Sequence, residues 1–186
     1  MIRHIPNILT MLRLLAVPVF VWMMGINPFI GLCIFVGASI TDFFDGYLAR
    51  KLNVISNFGK IMDPLADKIL VISAIVLLSL PPIRYIHWAV VLIVFVRELA
   101  VTLLRDYYRS KNIIIAANIW GKIKTVLQMV GIIGALLYYS YGVVIPYKFV
   151  ASVNNAILLS IEIFFWIIAA VTVLSGTNYF MIKKRK

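Results

Sequence analysis

Asp42, Asp45, Asp63 and Asp67 are four of the chain's seven carboxylates, and all lie within one 26-residue window of largely apolar sequence. A carboxylate set among hydrocarbon is costly unless it is paired or holds a cation, so such residues mark a functional site. On a helix, Asp42, Asp45, Gly46, Ala49 and Arg50 fall at i, i+3, i+4, i+7 and i+8, which is one face. Gly59, Asp63 and Asp67 fall at i, i+4 and i+8, again one face. Two such helices facing each other bring four oxygen donors together, a ligand set suited to a hard divalent cation. Mg²⁺ commonly binds through a few carboxylates and completes its shell with substrate phosphates. Four carboxylates suffice for two ions, which would clamp a phosphoryl group from both sides. Gly46, Ala49 and Gly59 keep the groove shallow, so a ligand can approach the backbone, and Arg50 adds a fixed cation for phosphate or for an aspartate. Taken singly, Asp63 before Pro64 also has the form of a helix N-cap with proline at N1. Asp42 and Asp45 likewise resemble a solvated span end flanked by Arg50 and Lys51. Neither reading explains the shared faces.

The elements that must position these residues are long and apolar. The 186-residue chain is 63% hydrophobic with a mean hydropathy of +1.01, well above the apolar share of soluble domains. Stretches long enough to cross a bilayer recur over roughly 7–26, 29–50, 57–80, 86–107, 118–141 and 151–174. The expectation is an all-α integral membrane protein of six transmembrane helices forming a single domain over residues 1–186, without internal repeat or linker. Near the start of the third span, Asp63, Pro64 and Asp67 require a turn that faces protein or water rather than lipid.

The net charge of +11 is distributed unevenly. With six spans, Arg3, Arg50, Lys51, Lys60, Arg109, Lys111 and the tail Lys183–Lys186 fall on one side, and only Arg84 and Lys148 fall in loops on the other. Lys and Arg concentrate in cytoplasmic loops, so both termini are expected in the cytoplasm, with the aspartate window opening there. A basic face of this kind suits anionic headgroups and substrates, and no basic–aromatic interleaving points to nucleic acid. Cys33 is the lone cysteine and sits in an apolar run, which predicts a buried, inert thiol. The basic start followed by an apolar stretch has the outline of a signal peptide, but no small-residue cleavage site follows it.

The motif D-x-x-D-G-x-x-A-R-x8-G-x-x-x-D-x-x-x-D, matched here at every fixed position from Asp42 to Asp67, resembles the signature of the CDP-alcohol phosphatidyltransferases. That resemblance implies six transmembrane helices, a homodimer, and a site for two Mg²⁺ (or Mn²⁺) ions per subunit, open to the cytoplasm. It also implies transfer of a phosphatidyl group from CDP-diacylglycerol to an alcohol with release of CMP. Asp42, Asp45, Asp63 and Asp67 would then bind the metals, with Asp67 also the general base. Gly46, Ala49, Arg50 and Gly59 would line the CDP pocket.

The motif does not choose the acceptor. Arg97 and Arg105 lie eight residues apart in the fourth span, broadly on one face, and Arg97 sits in a long apolar run, where an arginine should face an interior cavity. Gly121, Lys124, Thr125 and Gln128 form a stripe on the fifth span at i, i+3, i+4 and i+7. Lys122 lies off that stripe by about 100°. Clustered cations suit an acceptor with its own phosphate; neutral serine or choline would not need them. Glu98, next to Arg97, is expected to point elsewhere on the helix, and neither it nor Glu162 receives a role. Ile5-Pro6-Asn7-x-x-Thr10-x-x-Arg13, Val96-Arg97-Glu98 with Leu104-Arg105, and Gly121-Lys122-x-Lys124-Thr125-x-x-Gln128 resemble the bacterial phosphatidylglycerophosphate synthase branch. The acceptor would then be sn-glycerol 3-phosphate, held by Arg97, Arg105, Lys122, Lys124, Thr125 and Gln128. Asn7, Thr10 and Arg13 would contact the nucleotide or its phosphates. Two alternatives stay open on residues alone: a cardiolipin synthase of the same superfamily with phosphatidylglycerol as acceptor, and a divalent-cation transporter, which paired repeats or broken helices would favour.

Overall fold

The computed structural model describes residues 5–52, 57–111, 119–144 and 151–181, and the side chains of these except 5–9, 42–52, 57–64, 67, 109, 143–144, 151–154 and 178–181. Among the described residues the secondary structure is helical throughout: α1 (Ile5–Ile26), α2 (Pro28–Leu52), α3 (Asn57–Ser79), α4 (Trp88–Ser110), α5 (Ile119–Val144) and α6 (Ala151–Met181). Two compact units are present. One contains residues 1–77 and 136–147, the other residues 78–135 and 148–186.

In the first unit, α1 and α2 form a hairpin joined by a single residue. Asn27 donates its N–H to the Met23 carbonyl, ending α1, and its Oδ1 accepts from the N–H groups of Phe29 and Ile30 at 3.2 and 3.3 Å. Asparagine at the N-cap and Pro28 at the first helical position satisfy the start of α2 with few free donors remaining. Close packing follows from the turn. Phe20 and Phe35 are fully buried with ring centroids 5.5 Å apart, and Val17, Met24, Leu32 and Ala38 complete the seam. Gly31 permits the closest approach, since a Cβ there would stand 2.7 Å from the Met24 sulfur and 3.1 Å from the Met24 backbone nitrogen.

In the second unit, α4 packs on α6, burying Val90, Val94, Val101, Phe165, Ile168 and Ala169. The turn before α4 is hydrogen-bonded throughout: Tyr85 and Ile86 donate to the Leu78 carbonyl, and Ile83 and Arg84 to that of Leu80. Arg84 takes φ 49° in this turn. His87 begins α4, its Nδ1 accepting from the Ala89 N–H at 3.2 Å while its ring stacks on Trp166 of α6.

Polarity is inverted relative to a soluble domain. Leu159, Ile163, Trp166, Ile167, Val173 and Leu174 of α6 are exposed, whereas Thr10, Arg13, Lys124, Gln128, Thr172 and Ser175 are buried. The segments Ile119–Gly142 and Asn155–Thr177 are long and apolar enough to cross a membrane, and only 39% and 22% of their apolar windows are buried within the protein. Apolar surface of that extent suits lipid rather than water. Hydroxyls in the helices satisfy themselves locally: Ser39, Thr41, Ser140 and Ser160 each donate to the carbonyl four residues back, as hydrocarbon surroundings demand.

Cys33 departs from expectation, being exposed on α2. An apolar run reads as interior only when water is outside. Where lipid is outside, both faces of a helix are apolar, and the thiol falls on the outer one.

Gly31→Val should cost roughly 1–3 kcal/mol, because the new side chain meets Met24 and its backbone. Gly37→Ala on the same helix, with nothing within 4 Å of the added methyl, should be neutral or stabilising by about 0.5–1 kcal/mol. Thermal unfolding of both variants in one detergent tests the packing, which would be wrong if the two melt alike.

Candidate active site

Helical structure is continuous through both halves of the aspartate motif, across α2 to Leu52 and along α3 from Asn57, so the predicted i, i+3 and i, i+4 faces hold in the backbone. Asp63 and Pro64 lie inside α3, more than a turn from its start. That removes the N-cap reading. In register, Asp42, Asp45, Gly46 and Ala49 continue the buried stripe Leu32, Phe35, Ala38 of α2. Asp63 and Asp67 fall on the α3 stripe that continues as Leu70, Ala74 and Leu78, all buried. Both carboxylate pairs therefore lie in helical register with buried positions of their own helices. The side chains of Asp42, Asp45, Ala49, Arg50, Asp63 and Asp67 lie outside the described residues, as do those of Asn7, Arg3, Lys148 and the Lys183–Lys186 tail. Among the described residues no three His, Cys, Asp or Glu side chains form a metal-binding group. Two predicted nucleotide contacts are placed: Thr10 and Arg13, three apart on α1, are both buried in the first unit.

In the second unit the structure assembles a charged cluster from three helices. Arg97 Nη1 of α4 donates to Glu98 Oε1 at 3.1 Å, and Lys124 Nζ of α5 donates to the same carboxylate oxygen. Arg97 Nη2 donates to Ser175 Oγ of α6 at 2.8 Å, and Ser175 donates onward to the Thr172 carbonyl. The side chains of Arg97, Glu98 and Lys124 are only 11%, 15% and 6% exposed. Gly176 makes room for the arginine: a Cβ there would touch Arg97 Cγ at 3.4 Å. Charges taken this far from water require partners, and the cluster supplies them within itself.

Among the described residues the cluster brings two positive groups onto one carboxylate. Three buried polar atoms in this unit, Arg97 Nε, Gln128 Nε2 and Thr172 Oγ1, have no hydrogen-bond partner. Buried donors are rarely left unmade.

Of the expected acceptor residues, Lys124 and Gln128 are buried and Arg97 is half-buried, whereas Arg105, Lys122 and Thr125 are exposed. The Thr125 hydroxyl donates to the Gly121 carbonyl of its own helix. Glu98 corrects the sequence expectation. Adjacent residues diverge by about 100° at the Cβ, yet the long arginine and glutamate side chains bend back to meet. Ser175 was also missed. Its signal was present as Thr172, Ser175 and Gly176, small or polar residues at i, i+3 and i+4 on one of the most apolar helices.

Residues 3–174 match the CDP-alcohol phosphatidyltransferase family. Three bacterial relatives bear the name CDP-diacylglycerol–glycerol-3-phosphate 3-phosphatidyltransferase. That of Rickettsia bellii is 36% identical over 98% of this chain and 97% of its own length. That of Bacillus subtilis is 36% identical over 95% and 93%, and that of Mycoplasma pneumoniae 34% identical over 89% and 78%. With the motif intact on two continuous helices and similarity running along nearly the whole sequence, this chain belongs to the CDP-alcohol phosphatidyltransferase family.

Proposed function

We propose that this protein transfers the phosphatidyl group of CDP-diacylglycerol to sn-glycerol 3-phosphate, giving phosphatidylglycerophosphate and CMP. The observation that supports the acceptor choice is the largely buried Arg97–Glu98–Lys124 cluster, in which two cations from different helices meet at one carboxylate, in a chain whose relatives are named for glycerol 3-phosphate. A phosphatidylglycerol acceptor offers its phosphate as a buried diester within a lipid and makes less use of a compact cationic pocket. All six helices lie at the positions expected for membrane spans, an even number that puts both termini on one side. Lys and Arg density assigns that side to the cytoplasm of a bacterial membrane. The working unit is a homodimer.

Asp42, Asp45, Asp63 and Asp67 fit a hard cation: the donors are all carboxylate oxygens, in i, i+3 and i, i+4 pairs on continuous helices. Bound there, two Mg²⁺ or Mn²⁺ ions would neutralise the pyrophosphate and favour departure of CMP. Thr10, Arg13 and Arg50, with Asn7, Gly46, Ala49 and Gly59, hold the nucleotide and its phosphates. Arg97 and Lys124, aided by Gln128, hold the acceptor phosphate; Arg105, Lys122 and Thr125 stand further out. Asp67 takes the proton from the primary hydroxyl of glycerol 3-phosphate. That oxygen attacks the β-phosphorus in line, the bond to the CMP oxygen breaks, and configuration at phosphorus inverts in a single displacement. Positioning and charge complementarity supply most of the rate.

Purified protein with CDP-diacylglycerol and Mg²⁺ should release CMP with glycerol 3-phosphate, and not with serine, inositol phosphate or phosphatidylglycerol. EDTA should abolish turnover, and Asp42→Asn or Asp63→Asn should lower it 10²-fold or more, about 2.7 kcal/mol. Full activity in EDTA would remove the metal reading.

Asp67→Asn should retain CDP-diacylglycerol binding better than Asp42→Asn while losing turnover, as expected of a base that must reach the acceptor hydroxyl. Parallel losses of binding and turnover in both variants would deny Asp67 a separate role.

Arg97→Ala and Lys124→Ala should each raise the KM for glycerol 3-phosphate by about 10- to 150-fold. That range corresponds to roughly 1.5–3 kcal/mol for a charge-assisted hydrogen bond. The KM for CDP-diacylglycerol should change little, and Lys122→Ala should have a smaller effect on both. Equal losses toward both substrates would place the cations at the pyrophosphate instead.

A further inference from the structure

We propose that Glu98 is a positioning residue of the acceptor site, holding Arg97 and Lys124 at the spacing that receives the acceptor phosphate. This inference rests on the acceptor assignment made above. A single oxygen, Glu98 Oε1, accepts from both Arg97 Nη1 and Lys124 Nζ, so two cations on different helices converge on one anionic point. Like charges brought together in a poorly hydrated interior repel strongly. The carboxylate between them is what makes their proximity tolerable. The far side of the arginine is fixed independently, by Ser175 Oγ at 2.8 Å and by the space over Gly176. The guanidinium is thus gripped at both terminal nitrogens, with the buried Nε left as a donor lacking a partner.

Two opposite effects follow from removing the Glu98 charge. Loss of a negative group near the site would strengthen attraction for phosphate. Loss of the shared acceptor would let Arg97 and Lys124 separate, since the carboxylate between them no longer offsets their repulsion and Lys124 is 6% exposed. Geometry dominates, because the carboxylate organises two phosphate donors at once while its own repulsion acts as one charge. A glutamine at 98 can still accept a hydrogen bond but cannot balance two cations.

The test uses full-length protein in detergent micelles with CDP-diacylglycerol and Mg²⁺, comparing wild type, Glu98→Gln, Glu98→Asp, Lys124→Ala and the Glu98→Gln/Lys124→Ala pair. Thermal unfolding is recorded for each. Wild type is assayed first; absence of CMP release with glycerol 3-phosphate would sink the acceptor assignment itself, separately from the role of Glu98. With that activity in place, Glu98→Gln should raise the KM for glycerol 3-phosphate tenfold or more. The KM for CDP-diacylglycerol should stay within about twofold of wild type. Glu98→Asp, which keeps the charge but draws it back by one methylene, should shift the same constant in the same direction by less. The double variant should fall short of the product of the two single effects, because part of the carboxylate's action runs through the lysine and the rest through Arg97. An unchanged or lowered KM for glycerol 3-phosphate in Glu98→Gln, an equal rise for both substrates, or additive effects in the pair would each overturn the proposal. If Glu98→Gln does not fold, Glu98→Asp decides alone: an unaltered KM for glycerol 3-phosphate would refute the positioning role.

Discussion

A lipid-facing helix has no water to spare for its polar groups, and the satisfaction of charge along it governs what the rest of the chain can do. The Arg97–Glu98–Lys124 cluster shows how that constraint is met. One carboxylate is shared by two cations, a serine on a third helix takes the other terminal nitrogen of the guanidinium, and the whole set is nearly removed from solvent. An ion pair of this kind gains little net stability over apolar packing of the same volume. Its retention therefore points to use rather than to cohesion. Cohesion comes from elsewhere: from the Phe20–Phe35 seam, the Asn27 cap and the apolar face shared by α4 and α6.

The same constraint explains why α2 and α3 change character along their length. Each begins or ends as an apolar seam and becomes carboxylate-bearing at the positions that continue the seam in register: Phe35 and Ala38 lead to Asp42 and Asp45, and Asp63 and Asp67 lead to Leu70 and Ala74. A helix that carried these aspartates on its outer face would expose them to hydrocarbon. Holding them in register with the buried residues lets one continuous helix carry packing residues at one end and the aspartate motif at the other. Substitutions in the seam and in the motif should consequently be coupled more tightly than their separation suggests, since both depend on the rotation of the same helix.

Much of this was legible from residue order. The second span was expected at 29–50 and α2 runs Pro28–Leu52; the fourth was expected at 86–107 and α4 runs Trp88–Ser110. Apolar length and proline placement are enough for such readings, because a bilayer admits few alternatives to a helix. The far end of α6 was read too short. Its hydropathy fades after Leu174, but backbone hydrogen bonding continues to Met181, since a helix need not stop where its apolar character does. Cys33 was placed inside because an apolar neighbourhood looks the same whether it faces lipid or core. Lys124 and Gln128 were recognised by their stripe, and both are buried, whereas Thr125 in the same stripe is exposed. A stripe defines a broad face rather than a single direction.

Glu98 is the instructive miss. The argument that neighbours on a helix diverge is sound for Cβ atoms and for short side chains, and it fails for a pair such as arginine and glutamate, whose terminal groups lie several bonds from the backbone. Two basic residues in consecutive apolar segments, with one glutamate beside the first, already pose a charge-balance problem that this glutamate can help to solve. Counting charge within the apolar segments, rather than direction around the helix, connects Arg97, Glu98 and Lys124 from sequence alone. The general lesson is that in an apolar chain each buried charge defines a demand, and the residues able to meet it are few enough to be enumerated from sequence.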